Sequence, residues 1–269
     1  MRRRAAVLLC AFLLSGCSGA AGERPGIADG RARAPAREVN DTRRLPPVVD
    51  HVATREPVVF LTYDDGAARD PRFAGLVRER RLPVSLFLTD SVTGPGYGHF
   101  ARLRAVGASL QNRTLDHPAL RGLPYAGQRA EICGQQHKLR SRFGTVPRLF
   151  RPPYGTYDTT TLRAAADCGI TAVVLWRASL NAEGELTYIR GERGLRAGDI
   201  VSVPSDGTEP RTLAARTLRL LREIEARGLR VGRLEDHVEG RPQGHSEAHS
   251  EDHSEDHRED AAARRAAGN

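Results

Sequence analysis

Between residues 57 and 236, short runs rich in β-branched residues alternate with stretches whose apolar residues recur at helical spacing. The first run, 58–63, stops at Asp64-Asp65-Gly66 and reads as a buried strand. Further strands are predicted at 84–88, 109–112, 149–151, 171–176, 200–203 and 229–234. Helices are predicted at 70–81, 99–106, 125–143, 159–168 and 212–227. This alternation constrains the fold, because parallel strands need a crossover and a helix is the usual one. About seven repeats predict an α/β fold, a (β/α) barrel of about seven parallel strands. Chemistry in such folds gathers at the C-terminal ends of strands. The unusual residues fall there: Asp64-Asp65, Arg151-Pro152-Pro153-Tyr154-Gly155, Trp176 and Pro204.

The regions outside the barrel read differently. Residues 1–16 form a signal peptide, with Arg2, Arg3 and Arg4 ahead of an apolar run too short to cross a bilayer. Leu14-Ser15-Gly16-Cys17 is similar to the lipobox of bacterial lipoproteins, whose cysteine is acylated. It predicts lipidation at Cys17 and an exported protein held to the outer face of the cell membrane, simple secretion being the alternative. Residues 17–56, rich in Gly, Ala, Pro and Arg, are expected to be a flexible tether. Residues 237–269 are expected to be a disordered tail in which His245, His249, His253 and His257 recur among acids. The tail reads as a solvated, mixed-charge segment, with weak chelation of a divalent metal by the histidines as the alternative. Cys133 and Cys168 remain as an even pair, to be read as a disulfide or as two buried thiols.

The chain carries 41 basic and 33 acidic residues, with Lys138 the single lysine. The arginines are scattered among acids, so no stripe exists to track phosphates, and a nucleic-acid partner is excluded. A hydrophobic content of 39% is low for a wholly folded chain and agrees with a disordered tether and tail. A monomer is expected.

Asp64 and Asp65 diverge where a strand opens into a turn, so one can bind a metal while the other takes a proton from water. The same pair is also a common turn before a helix. Asn112-Arg113-Thr114-Leu115-Asp116-His117-Pro118 follows, and then Arg151-Pro152-Pro153-Tyr154-Gly155. With Gly107 and Gly198-Asp199-Ile200-Val201, this order of motifs resembles the polysaccharide deacetylase family (NodB homology, carbohydrate esterase family 4). The resemblance implies a distorted (β/α) barrel with a groove open to a polymer. It implies removal of acetyl groups from peptidoglycan, a chitin-like glycan or xylan, with zinc or another divalent metal held by one Asp and two His. By the same resemblance Asp64 matches the base, Asp65 and His117 match metal ligands, and Arg151 matches the arginine that orients the base. Tyr154 matches a backbone N–H that stabilises the oxyanion. Pro152, Pro153 and Trp176 match the substrate pocket, with Trp176 equally readable as a core aromatic.

Two departures stand against this set. Arg113 replaces the first ligand histidine, and a guanidinium has no lone pair to give a metal. Pro204 falls where the family ends a strand in an acid histidine, and Arg177 where an Asp tunes it. Asp116, Ser205 and Asp206 are the nearby substitutes for the acid. The function is therefore expected to be a polysaccharide deacetylase-like hydrolase, or else a catalytically impaired member that binds acetylated glycan without turnover.

Overall fold

The structure, a computed structural model, describes residues 44–65, 69–189, 191, 193–205 and 211–238. Cys17, Asp206 and His245, His249, His253 and His257 lie outside the described residues. The strands are β1 (Val48–Val49), β2 (Val58–Asp65), β3 (Ser85–Leu88), β4 (Ser109–Asn112), β5 (Leu149–Phe150), β6 (Ala172–Val174), β7 (Ala178–Leu180), β8 (Leu186–Tyr188), β9 (Ile200–Val203) and β10 (Arg230–Val231). The helices are α1 (Pro71–Arg80), α2 (Asp90–Thr93), α3 (Tyr97–Ala105), α4 (Tyr125–Phe143), α5 (Thr159–Asp167), α6 (Leu213–Ala226) and α7 (Leu234–Val238).

The sheet order is β1-β6-β5-β4-β3-β2-β9-β7-β8, with β10 paired to the start of β2. These pairings are parallel except that of β7 with β8. β6 and β7 stand near opposite ends of that order, yet only residues 175–177 separate them in the chain. Three extended residues span on the order of 10 Å, so the sheet must curl until its ends nearly meet. This is the distorted (β/α) barrel that the sequence leads one to expect.

Alternation along each strand sorts side chains between the lumen and the helical layer. Val58, Phe60, Phe87, Leu149, Ala172, Val174 and Ile200 share the lumen core, with Val52 and Leu234. Val59, Leu61, Tyr63, Leu86, Leu88, Val201 and Val203 pack outward against α1, α3 and α6. Phe150 and Val173 pack against α5, with Leu120 and Ile132. Helix boundaries follow local chemistry. Asp70 caps α1 through the Arg72 N–H, with Pro71 opening the helix. Gly144 ends α4 at φ 64°, in the left-handed region.

The elements differ from expectation in four places. Residues 48–56, assigned to the tether, contribute β1 on β6 and bury Val52 against the lumen core. Pro47 and Val49 accept hydrogen bonds from Val173 and Leu175, so edge pairing orders them. The hairpin β7–β8 and helix α2 were not anticipated; runs this short carry no periodicity to read. The predicted strand 229–234 is only β10, followed by α7, which also takes in His237 and Val238 beyond the expected barrel end at 236. Gly232 lies so close to Val58 that an added Cβ would sit 3.2 Å from the valine Cβ.

Candidate active site

The lumen becomes polar toward the C-terminal ends of the strands. β2 places Thr62 and Asp64 above Val58 and Phe60, on the same face. Arg113 continues the lumen face of β4, Arg151 that of β5, and Ser202 belongs to β9. The side chains of Asp64, Arg113, Arg151 and Ser202 meet there, all buried.

Arg151 is wholly buried and every nitrogen of its guanidinium donates. Nη1 donates to Asp64 Oδ1 and Thr62 Oγ1, each at 2.8 Å. Nε and Nη2 donate to the carbonyls of Val174 and Leu175, each at 3.1 Å. Its guanidinium carbon lies 4.4 Å from the Phe87 ring centroid and 5.2 Å from that of Trp176. Trp176 is half-buried against the lumen core and packs on Gly155, whose φ of 68° and 3.1 Å Cβ clearance disfavour any larger residue.

The Ser202 hydroxyl donates to Asp64 Oδ2, and Arg113 Nη1 lies 3.6 Å from Oδ1. Burial pushes the Asp64 carboxyl up, but Arg151, Arg113 and the Ser202 hydroxyl outweigh it and hold the group below its ordinary value. Asp64 is thus an ionised carboxylate with both oxygens engaged, which makes it a weak base. The side chain of Asp65 lies outside the described residues; its backbone pairs with Leu88.

His117 sits in a tightly built loop. Asn112 Oδ1 accepts the Thr114 N–H at 2.9 Å, and Thr114 Oγ1 accepts that of His117 at 3.1 Å. The Glu131 carboxylate on α4 accepts the N–H groups of Leu115 and Asp116. The His117 ring meets Tyr154 edge-on at 4.8 Å. Thr114, His117 and Tyr154 adopt positive φ (72°, 60° and 58°), so three non-glycine residues in a costly conformation gather at this mouth. Pro152 and Pro153 are buried beneath Tyr154, which is 64% exposed.

Among the described residues the remaining candidates do not assemble into an acid. Pro204 is exposed and its carbonyl accepts from Arg216 Nη1 at 3.0 Å. Asp116 is exposed in the loop, while Ser205 is buried. Arg177 is far from Pro204 in the strand frame: its backbone N–H donates to Ile200, at the opposite end of β9. Its guanidinium forms a bidentate pair with Asp199, Nε to Oδ1 and Nη2 to Oδ2, each at 2.5 Å. Contrary to what the resemblance implies, Arg177 is therefore not placed to face position 204; its partner is the buried Asp199.

Among the described residues the donors do not make up a metal set. His117 is present, and the Arg113 guanidinium, which has no lone pair to give, lies 3.6 Å from Asp64. Among the described residues no three or more His, Cys, Asp or Glu side chains cluster as ligands. Cys133 and Cys168 form a disulfide (S–S 2.07 Å) that ties α4 to the end of α5, which decides between the two readings of that pair. Thr62 and Ser202 were missed from sequence; the only signal was their place on lumen faces, two residues from Phe60 or Asp64 and from Ile200.

Comparison with known proteins agrees with this fold. The family model described as Polysaccharide deacetylase matches residues 51–173. The chain belongs to the polysaccharide deacetylase family. An uncharacterised protein of Streptomyces coelicolor is 66% identical over 231 residues, covering 86% of this chain and 92% of that protein. A chitin deacetylase of Amylomyces rouxii is 32% identical over 118 residues, covering 42% of this chain and 27% of that protein. A family 4 carbohydrate esterase from Bacillus anthracis shares the fold at a TM-score of 0.61 and 17% identity, covering 71% of this chain and 87% of that one. Deacetylases of this family generally use a divalent metal.

Proposed function

We propose that this family member is exported, anchored through Cys17, and engages acetylated polysaccharide such as peptidoglycan or a chitin-like glycan at the mouth of its barrel, with metal-dependent hydrolysis disabled. One observation carries the reading: Arg113, which by the family resemblance replaces a ligand histidine, is buried 3.6 Å from Asp64. A fixed guanidinium repels a metal cation and supplies no lone pair. Arg151 and, beside it, Arg113 hold the Asp64 carboxyl below its ordinary value, which makes it a weaker proton acceptor than an ordinary carboxylate. What persists is a binding surface, formed by the exposed Tyr154 ring, His117 and the Trp176 wall. The Cys133–Cys168 disulfide supports an oxidising compartment, and chitin deacetylase relatives support an acetylated glycan as ligand.

A second reading, a working zinc deacetylase, has the intact Asp64–Arg151 pair in its favour. One experiment separates the two. The chain with His245, His249, His253 and His257 changed to Ala, which removes any chelation by the tail, is titrated calorimetrically with zinc, with and without Arg113→His. The expected result is no tight zinc on the parent, a gain of at least about 100-fold in affinity on Arg113→His, and no acetate release by the parent from chitotetraose or peptidoglycan. Saturable chitotetraose binding by the parent completes it. One tight zinc on the parent with acetate release would establish the second reading instead.

A further inference from the structure

The β7–β8 hairpin and α6 enclose a cleft of about 510 Å³, within the size range of small-ligand sites. It lies on the other side of the barrel wall from Asp64. Ser179 pairs with Ser202, whose hydroxyl reaches Asp64, so Leu180 next to it points outward and packs with Leu220 of α6. A ligand in this cleft is therefore separate from the mouth of the barrel.

Its walls are charged over a small apolar floor. Glu223 pairs with Arg227 at 2.7 Å, and Glu185 approaches Arg219 at 3.9 Å. Arg193 and Arg222 also line the cleft, and among the described residues neither has a carboxylate partner. Among the described residues the lining thus carries four guanidiniums against two carboxylates. Tyr188 lines the same cleft, with the Arg177 guanidinium 5.4 Å from its ring centroid. Its hydroxyl makes no hydrogen bond among the described residues. A phenol, paired Arg–Glu groups that can donate to and accept from hydroxyls, and surplus guanidinium charge suit a polar ring that bears an anion.

We propose that this cleft is a second saccharide site, selective for a sugar carrying a carboxylate. The choice of a saccharide rests on the glycan-directed reading above; the choice of an acid rests on Arg193 and Arg222. The full-length chain is titrated calorimetrically with trigalacturonate, and separately with chitotetraose. The expected result is one saturable trigalacturonate site, weakened about 10-fold or more by combined Arg193→Ser and Arg222→Ser, and unchanged by Tyr154→Ala. Chitotetraose binding should respond in the opposite way, so the two readings can fail independently. Circular dichroism of the double variant confirms that it folds. Absence of saturable trigalacturonate binding, a double variant that binds as the parent does, or loss of that binding through Tyr154→Ala would each overturn the proposal.

Discussion

Arg177 and Asp199 are joined by two hydrogen bonds in a place where Asp199 has no solvent contact, with His51 Nδ1 3.3 Å from the same carboxylate. The family resemblance alone would suggest rebuilding an acid by Arg177→Asp. In the structure that change sets two carboxylates together in a buried site and removes the guanidinium that bonds Asp199 twice. We expect a loss of roughly 3–5 kcal/mol, the usual effect of breaking a buried pair, measured as the shift in urea unfolding free energy. Arg177→Met should also destabilise, but less, since it adds no second negative charge. An Arg177→Asp variant as stable as the parent would contradict this. At this scale the charged residues were legible: Asp64 and Arg151 stand out because each ends an apolar strand. Ser202 was not, because a small hydroxyl within Ile-Val-Ser-Val carries no chemical signature until the lumen face is known. Arg113 was recognised as a departure, but its approach to Asp64 depends on which strand faces it across the lumen.

Helix α5 shows how a sequence signal becomes a boundary. Asp158 accepts the Thr161 N–H at 2.8 Å while Thr161 Oγ1 accepts the Asp158 N–H at 3.1 Å, a reciprocal cap. The same carboxylate accepts the Gly122 N–H at 2.9 Å and faces Gln128 of α4, so the cap also fastens the loop before that helix. Burial pushes the Asp158 carboxyl up, but the N–H groups of Gly122 and Thr161 and the side chains of Thr161 and Gln128 outweigh it and hold it below its ordinary value. A carboxyl lowered by folding adds stability above its unfolded value, near 3.9, and loses that stability as pH falls through the folded value. Asp158→Ala should therefore cost about 1 kcal/mol or somewhat more at pH 7, and the gap to the parent should shrink in acid. Urea unfolding of both proteins at neutral pH and near pH 3 checks the sign; a gap that widens in acid would contradict it. The major helices and strands were readable because each combines periodicity with a stop signal. The β7–β8 hairpin was not, since three-residue strands are specified by their partners, β9 for β7 and β7 for β8, and not by their own pattern.

The barrel has a floor as well as a mouth, and the sequence reading missed it by extending the last strand to 234. Leu234 of α7 enters the lumen core beside Val58 and Phe60, and the His237 ring lies 4.9 Å from that of Phe60. Glu235 accepts from the hydroxyls of Ser85, at 2.9 Å, and Ser109, and from Gln111 Nε2 at 3.1 Å. One carboxylate thus joins β3, β4 and α7 beneath the apolar layer on which Thr62, Asp64 and Arg151 stand. Glu235→Ala leaves three donors, those of Ser85 and Gln111 on buried residues and that of Ser109 on a half-buried one, without that acceptor. With about 1–3 kcal/mol for each donor left wholly unsatisfied, and partial relaxation around them, we expect a total loss of about 2–4 kcal/mol. Glu235→Gln keeps an acceptor and should cost less. Trp176 is the single tryptophan and packs on the lumen core, so its fluorescence reports unfolding from inside the barrel. The expected outcome is a lower urea midpoint by tryptophan fluorescence, with the slope unchanged as for a pure stability effect. If the Glu235→Ala midpoint matches that of the parent, α7 is an appendage and the site above does not depend on it.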